Sequence, residues 1–331
     1  MSTFGAKQVD NRHIFSYNVG MDIKNRIISR LYGGCVSGQQ LAEELGISRS
    51  AVWKYIKSLE KDGFRIRAVP NVGYSLIDSD ALSVGGVSRY AGDGWEITVM
   101  KETTSTNDEA KKLAAEGVKK AAVLAERQTA GRGRLGRAFV SPYGSGLYVS
   151  ALIRPAINAS DCGRITAFAA VATAQAVEEL CGAPVDIKWV NDLYMNGKKI
   201  CGILTEGSVG MENGELEYAI IGIGVNVTRH SFPPELEGKA SSVEQESGKK
   251  LDRCELAGAI LRRLDETENA VLSGSFVNEY RERSCIIGRT VTVNGEYDAR
   301  VCGIADDCSL ILDRGGEKIS FAAGEVTIKP I

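Results

Sequence analysis

The chain has 331 residues, with 40 basic and 42 acidic side chains and a net charge of −2. That length predicts two or three domains, and an ordinary globular composition (44% hydrophobic, 25% charged) excludes wholesale disorder. A near-neutral chain is no nucleic-acid coat protein, so any DNA contact has to come from a local basic face.

From the N-terminus, residues 1–20 are a polar, mixed tail with no apolar signal core, and no role is assigned to them. Residues 21–80 read as a winged helix-turn-helix DNA-binding domain. Met21 to Leu31 carries a helical apolar stripe of Ile23, Ile27, Ile28 and Leu31. A helix from Gly38 to Leu45 stops at Gly46, and Ser48 caps a second one whose apolar face is Val52, Ile56 and Leu59. Two short helices around a glycine turn are the helix-turn-helix pattern, and Phe64–Ala68 with Gly73–Leu76, around Pro70-Asn71, predicts a wing. From Gly46 to Pro70 six basic residues (Arg49, Lys54, Lys57, Lys61, Arg65, Arg67) face two acidic ones, Glu60 and Asp62. That charge placement disfavours a plain helical hairpin. Ser48, Arg49, Ser50, Trp53, Lys54 and Lys57 are the candidate DNA contacts.

Residues 81–282 read as an α+β domain with a mixed, mostly antiparallel sheet. Strands are expected at Trp95–Met100, Ala122–Glu126, Leu147–Ile153, Val185–Trp189, Lys199–Glu206 and Tyr218–Val227, with a hairpin turn at Asn196-Gly197. Helices are expected at Asn107–Glu116, Arg164–Leu180 and Leu256–Ser273. Residues 283–331 alternate as five short strands with turns at Asn294-Gly295 and Gly315-Gly316, which suits a small SH3-like β-barrel.

No run of 18 apolar residues is present, so no membrane span is expected and the cytoplasm is the expected compartment. Eight scattered cysteines without a C-x-x-C pair read as reduced small hydrophobes. With only His13 and His230, neither a histidine-based metal site nor a Ser-His-Asp triad is expected, and no metal ligands are assigned. Chemistry then falls to Lys, Arg, Asp, Asn and backbone groups.

The segment Gln128-Thr-Ala-Gly131-Arg132-Gly133-Arg134-Leu135-Gly136-Arg137 concentrates that chemistry. Between Glu126 and Asp161 lie five arginines (127, 132, 134, 137, 154) with no local acid to compensate them. Guanidinium forks bind carboxylate and phosphate oxygens, so an Arg/Gly loop predicts a lid for a nucleoside phosphate. Its G-x-G-x-x-G string is no dinucleotide fingerprint, because Phe139-Val-Ser-Pro and a strand follow where a helix should. Downstream come Lys188-Trp189-Val190-Asn191-Asp192, then Lys199-Ile-Cys-Gly-Ile-Leu-Thr-Glu206, then Gly222-Ile-Gly224-Val-Asn226.

Together these segments resemble the biotin protein ligases: G-R-G-R-x-G-R, K-W-P-N-D, K-x-x-G-I-L-x-E and G-x-G-x-N in order, with Ser105-Thr106-Asn107 matching S-T-N. Val190 stands for the usual proline, Leu135 for a frequent arginine and Phe139 for a tryptophan. The resemblance runs from about Met21 to the end and is to the bifunctional bacterial form, ligase and biotin operon repressor in one. It implies a class II synthetase-like ligase domain that activates biotin with ATP and Mg²⁺ to biotinyl-5'-AMP and then transfers it to a lysine of the biotin carboxyl carrier protein of acetyl-CoA carboxylase. It further implies a homodimer that binds operator DNA with the adenylate as corepressor.

Residue by residue, the resemblance gives Lys199, Arg134, Asp192 and Lys188 catalytic roles. Lys199, Arg132 and Arg134 would hold biotin's carboxylate and the α-phosphate, Lys188 would aid phosphate placement, and Asp192 would orient the acceptor lysine. Ser105, Thr106, Asn107, Gln128, Gly131 and Gly133 would line the biotin site. Arg132, Arg134, Arg137, Phe139, Asn191 and Asn226 would meet the nucleotide. Two alternatives stay open: a lipoate-type ligase, and a winged-helix nucleotide sensor without catalysis. The residues alone support an anion-binding, nucleotide-activating site; biotin comes from the resemblance.

Overall fold

A computed structural model describes residues 23–70, 72–79, 81–210 and 214–329. The tail with His13, the start of the first predicted helix at Met21 and Asn71 of the wing turn lie outside the described residues. The chain divides into two compact units, one up to Ser79 and one from Asp80.

In the first unit, α1 (Ile23–Tyr32), α2 (Gly38–Leu45) and α3 (Arg49–Lys61) precede a hairpin of β1 (Phe64–Val69) and β2 (Gly73–Ser79). Gly46 ends α2 in the left-handed region at φ 66°, and Ser48 caps α3 by accepting a hydrogen bond from the Ala51 N–H. Ile27, Ile28, Leu31, Leu41, Val52, Ile56 and Leu59 of the helices and Phe64 of the hairpin are all buried. Gly73 is obligatory: a Cβ there would meet Val36 O at 2.3 Å, where Val36 and Tyr74 exchange two backbone hydrogen bonds. This is a winged helix-turn-helix.

The second unit opens with α4 (Val84–Ala91), β3 (Glu96–Met100), α5 (Thr106–Ala115), β4 (Ala121–Ala125), β5 (Gly146–Ile153) and α6 (Cys162–Cys181). β6 (Asp186–Lys188), β7 (Asp192–Met195), β8 (Lys198–Val209) and β9 (Leu216–Asn226) complete a seven-stranded sheet in the order β3-β4-β5-β9-β8-β7-β6. Only β3 and β4 pair in parallel. Asn196 and Gly197, at φ 50° and 77°, make the tight turn between β7 and β8. α6 packs on one face of the sheet, burying Ile165, Val171 and Val177, while α5 covers one end of the other with Ala110 and Ala114 on Leu152 and Ile220.

Four helices follow: α7 (Val243–Ser247), α8 (Arg253–Leu264), α9 (Thr267–Ser273) and α10 (Val277–Glu282). The single helix expected over Leu256–Ser273 is therefore two. Buried Thr267 donates its hydroxyl to Leu264 O at 2.6 Å, tying off the end of α8 before α9 begins. α4 was not expected at all, because Gly85 and Gly86 give it poor helix propensity. It forms against α8, where Gly258 lets the backbones approach so closely that a Cβ would sit 2.3 Å from Tyr90 Cβ.

The final strands, β10 (Thr290–Val293), β11 (Tyr297–Ile304), β12 (Leu310–Arg314), β13 (Glu317–Phe321) and β14 (Val326–Ile328), form a separate antiparallel sheet in the order β13-β12-β11-β10-β14. Its core residues Val291, Val301, Leu310 and Leu312 belong to the same apolar cluster as Ile187, Trp189 and α6. Among the described residues no helix is long and apolar enough to cross a membrane.

Candidate active site

The α5-bearing face of the seven-stranded sheet is built in rows, because antiparallel partners point the same way. Leu152, Ile220 and Glu206 make the first row, Ser150, Gly222 and Leu204 the next, and Tyr148, Gly224 and Gly202 the third. The two glycines of β9 thus fall on one face and lower its floor. A Cβ on Gly222 would lie 2.3 Å from Asn107 Oδ1, and one on Gly224 would lie 2.5 Å from the Phe139 ring. Phe139 rests over this glycine floor and meets Tyr148 edge-on at 6.4 Å. Burial pushes the Tyr148 phenol up to about 12, so it stays protonated and donates to Pro142 O.

Polar groups gather at the start of α5. Gln128 Oε1 accepts from the Thr106 N–H at 2.8 Å and from its hydroxyl at 3.1 Å, while Gln128 Nε2 donates to Ser141 at 3.0 Å. Ser105 is 3% exposed at the head of α5 and makes no capping bond with its side chain. Asn107 donates to Glu206 at 2.7 Å, and its oxygen lies 2.5 Å from Ser150 Oγ, so its amide is spent on the framework. Gly131 is sterically required, since a Cβ would lie 2.6 Å from Phe139 O and 2.8 Å from Ser141 Oγ. Gly133 is not; its nearest contact would be 3.6 Å away.

The arginines expected to be uncompensated are all engaged, and their partners are far off in sequence. Arg132 forks onto both carboxylate oxygens of Asp108, at 2.5 and 2.8 Å, with Glu206 at 3.9 Å. That guanidinium holds the Asp108 carboxyl below the usual carboxylate range and is itself raised by it. Burial works to raise Glu206, but hydrogen bonds from Lys111 and Asn107 hold it low. Arg137 forks onto Glu325 at 2.5 and 2.6 Å, Arg127 pairs with Glu102, and Arg154 donates to three main-chain carbonyls. Like Arg154 but within the glycine loop itself, Arg134 donates to neutral oxygens, Asn191 Oδ1 at 3.2 Å and Gly324 O at 2.8 Å, so no partner acid spends its charge.

Gly202 joins the remaining groups, since a Cβ there would be 3.4 Å from both the Lys199 ammonium and the Phe139 ring. Lys199 Nζ lies 2.6 Å from Asp192 Oδ1, and Lys188 is the strand partner of Asp192. Asn191 donates to Ile203 O, and Asn226 donates to Ser241 O, whose own N–H bonds Lys199 O. The expected biotin, nucleotide and catalytic residues therefore converge on one sheet face and its loop, with Arg137 turned toward the C-terminal sheet.

Sequence reasoning missed Asp108 and Glu325, and gave Trp189 no structural role. Trp189 is 4% exposed, donates its indole N–H to Cys308 O at 2.8 Å and packs on Phe321. Asp108 directly follows S-T-N and could have been noticed; nothing local announced Glu325. Among the described residues no group of three or more His, Cys, Asp or Glu side chains is placed to hold a metal ion. Asp108, Asp192 and Glu206, the carboxylates of this face, are each paired with a cation and form no cage for Mg²⁺.

In the first unit, Arg49, Trp53, Lys54 and Lys57 are exposed on α3, with Trp53 at 54%. Lys57 pairs with Glu60, and the Ser48 and Ser50 hydroxyls lie 2.9 Å apart, Ser48 serving as cap. Arg65 and Arg67 are exposed on the wing.

Residues 97–226 match the biotin/lipoate A/B protein ligase family, and residues 24–75 match an HTH domain family. The chain is 35% identical over 294 residues to the bifunctional ligase/repressor BirA of Bacillus subtilis, covering 84% of this chain and 89% of that protein. It is 33% identical over 302 residues to BirA of Escherichia coli, covering 88% and 92%. A biotin protein ligase from Aquifex aeolicus, solved with biotin and ATP, superposes with a TM-score of 0.59 at 27% identity, covering 70% of this chain and 98% of that one.

Proposed function

Because this chain belongs to the family of bifunctional biotin ligases and repressors, a winged helix-turn-helix joined to a biotin ligase, we propose that it makes biotinyl-5'-AMP from biotin and ATP with release of pyrophosphate. In a second step a lysine amine of the carboxyl carrier protein of acetyl-CoA carboxylase attacks the biotinyl carbonyl, forming the amide as the anhydride bond breaks and AMP and a proton leave. The observation that carries this reading is the convergence of Arg134, Lys199, Arg132 and Lys188 around a glycine-floored sheet face.

The chemistry brings two anions together, a carboxylate and an α-phosphate, and then needs the mixed anhydride kept from water. Arg134 is the cation best suited to meet the converging charge, since its present partners are neutral oxygens. Lys199 joins it by leaving Asp192, and the freed Asp192 carboxylate then accepts a proton contact from the incoming acceptor lysine. Ser105, Thr106 and Gln128 receive the polar end of biotin, and Gly131 keeps the backbone close to it. Phe139, Asn191 and Asn226 take the nucleotide side. Mg²⁺, if bound with the nucleotide, would neutralise charge on its phosphates.

The first unit reads operator DNA with α3 and the wing, through Arg49, Trp53 and Lys54 at base edges and Lys57 with the wing arginines at phosphates. Biotinyl-adenylate acts as corepressor by favouring a homodimer that presents two such units. A lipoate-type ligase is the second reading; the Arg/Gly loop and the Lys188-Trp189-Val190-Asn191-Asp192 segment speak against it. Incubation with ATP, biotin or lipoate, and a carrier domain tests the proposal. Carrier-lysine biotinylation with pyrophosphate release is expected; transfer of lipoate in preference, or no transfer, overturns it.

A further inference from the structure

Within the ligand loop, two arginines are neutralised by bidentate carboxylates, Arg137 by Glu325 of the C-terminal sheet and Arg132 by Asp108 beside the sheet face. Arg132 presents both terminal nitrogens to both oxygens of Asp108, a two-point match of the kind a substrate carboxylate would make. Its backbone cannot drift, because Gly131 is wedged under Phe139 O and Arg132 bridges Ala138 across the loop. Asp108 sits equally firmly in the first turn of α5, where a negative charge is favoured. Glu206, the next acid, is turned to Lys111 and Asn107, leaving Asp108 as the principal partner of the guanidinium.

We propose that Asp108 is an internal competitor for substrate: its carboxylate occupies the guanidinium face that biotin's carboxylate takes, and so sets the affinity for the anionic ligand. This rests on the reading that Arg132 meets biotin's carboxylate. Binding is then an exchange of one carboxylate for another on Arg132, and the incoming one gains only the difference. Both side chains are about one-third exposed (37% and 35%), so the clasp is weak enough to open without unfolding α5.

The test compares biotin with its neutral primary amide in wild type and Asp108→Asn, each ligand titrated by calorimetry. Asparagine keeps the shape and removes the charge. The exchange predicts about fivefold tighter binding of biotin, the scale of a partly exposed ion pair, and unchanged binding of the amide. Unchanged or weaker biotin binding, or an equal shift for both ligands, overturns it. Arg132→Gln separates the two levels. If Arg132→Gln leaves the preference for biotin over its amide intact, the assignment of Arg132 itself fails. If it abolishes that preference while Asp108→Asn changes nothing, only the competitor role fails. In the Arg132→Gln background Asp108→Asn should have no effect on that preference, and an effect there also overturns the proposal.

Discussion

Glu126 directly follows β4 and precedes the Arg/Gly loop, and it is paired with Arg253 at 2.7 Å where the two side chains are only 7% and 4% exposed. The second Glu126 oxygen accepts from the Leu82 N–H at 2.7 Å, and Arg253 also donates to Gly146 O at 3.1 Å. Arg253→Met removes the counter-charge and leaves a carboxylate buried with one main-chain donor. Breaking a buried pair from one side costs about 3–5 kcal/mol. At roughly 2–4 °C per kcal/mol for a unit of this size, the melting temperature should fall by about 10 °C. Intrinsic fluorescence follows the transition, because Trp95 and Trp189 are both 4% exposed within the second unit. The double variant Glu126→Leu with Arg253→Met carries no buried charge and should recover most of the loss, less about 1–2 kcal/mol for the Leu82 N–H left without an acceptor. Arg253→Met within about 1 kcal/mol of wild type, or a double variant less stable than the single, would refute this account of the pair.

Lys199→Ala should lower pyrophosphate release about 100-fold while binding of preformed adenylate changes far less, and adding Asp192→Asn should not rescue it. Equal loss in both assays would assign Lys199 to holding Asp192. Gly131→Ala should raise the KM for biotin about tenfold through the clash with Phe139 O, whereas Gly133→Ala, with open space, should leave it near wild type. Arg49→Ala combined with Lys54→Ala should abolish operator retention in a gel-shift assay with ligation intact. Operator retention equal to wild type would move the base contacts elsewhere.

Elements whose boundaries are written in local chemistry were legible in the sequence. Gly46 and Ser48 mark the turn of the helix-turn-helix, Asn196-Gly197 the β7–β8 hairpin, and the period-two alternation after Thr290 the final sheet. What tertiary contact decides was not. α4 holds a helix through two glycines only because α8 packs against it, and the α8–α9 break is made by one buried hydroxyl. The site shows the same division. Its residue types and order were readable, but the state of each charge was not, since Arg132 finds its acid 24 residues away and Arg137 finds its own 188 residues away. An absence of neighbouring acids in sequence therefore says little about compensation in space.

Trp189, Arg134 and Arg137 take their partners from Cys308, Gly324 and Glu325. This has a bearing on biosynthesis. A nascent chain that has left the ribosome only through α10 holds every residue of the sheet-face site, yet Trp189 lacks the acceptor for its indole, and Arg134 and Arg137 of the ligand loop lack their C-terminal partners. Domains fold as units during translation, at about 5–20 residues per second, so the site waits a few seconds for the C-terminal sheet. A chain ending before Cys308 would lack the partners that Trp189, Arg134 and Arg137 take from the C-terminal sheet.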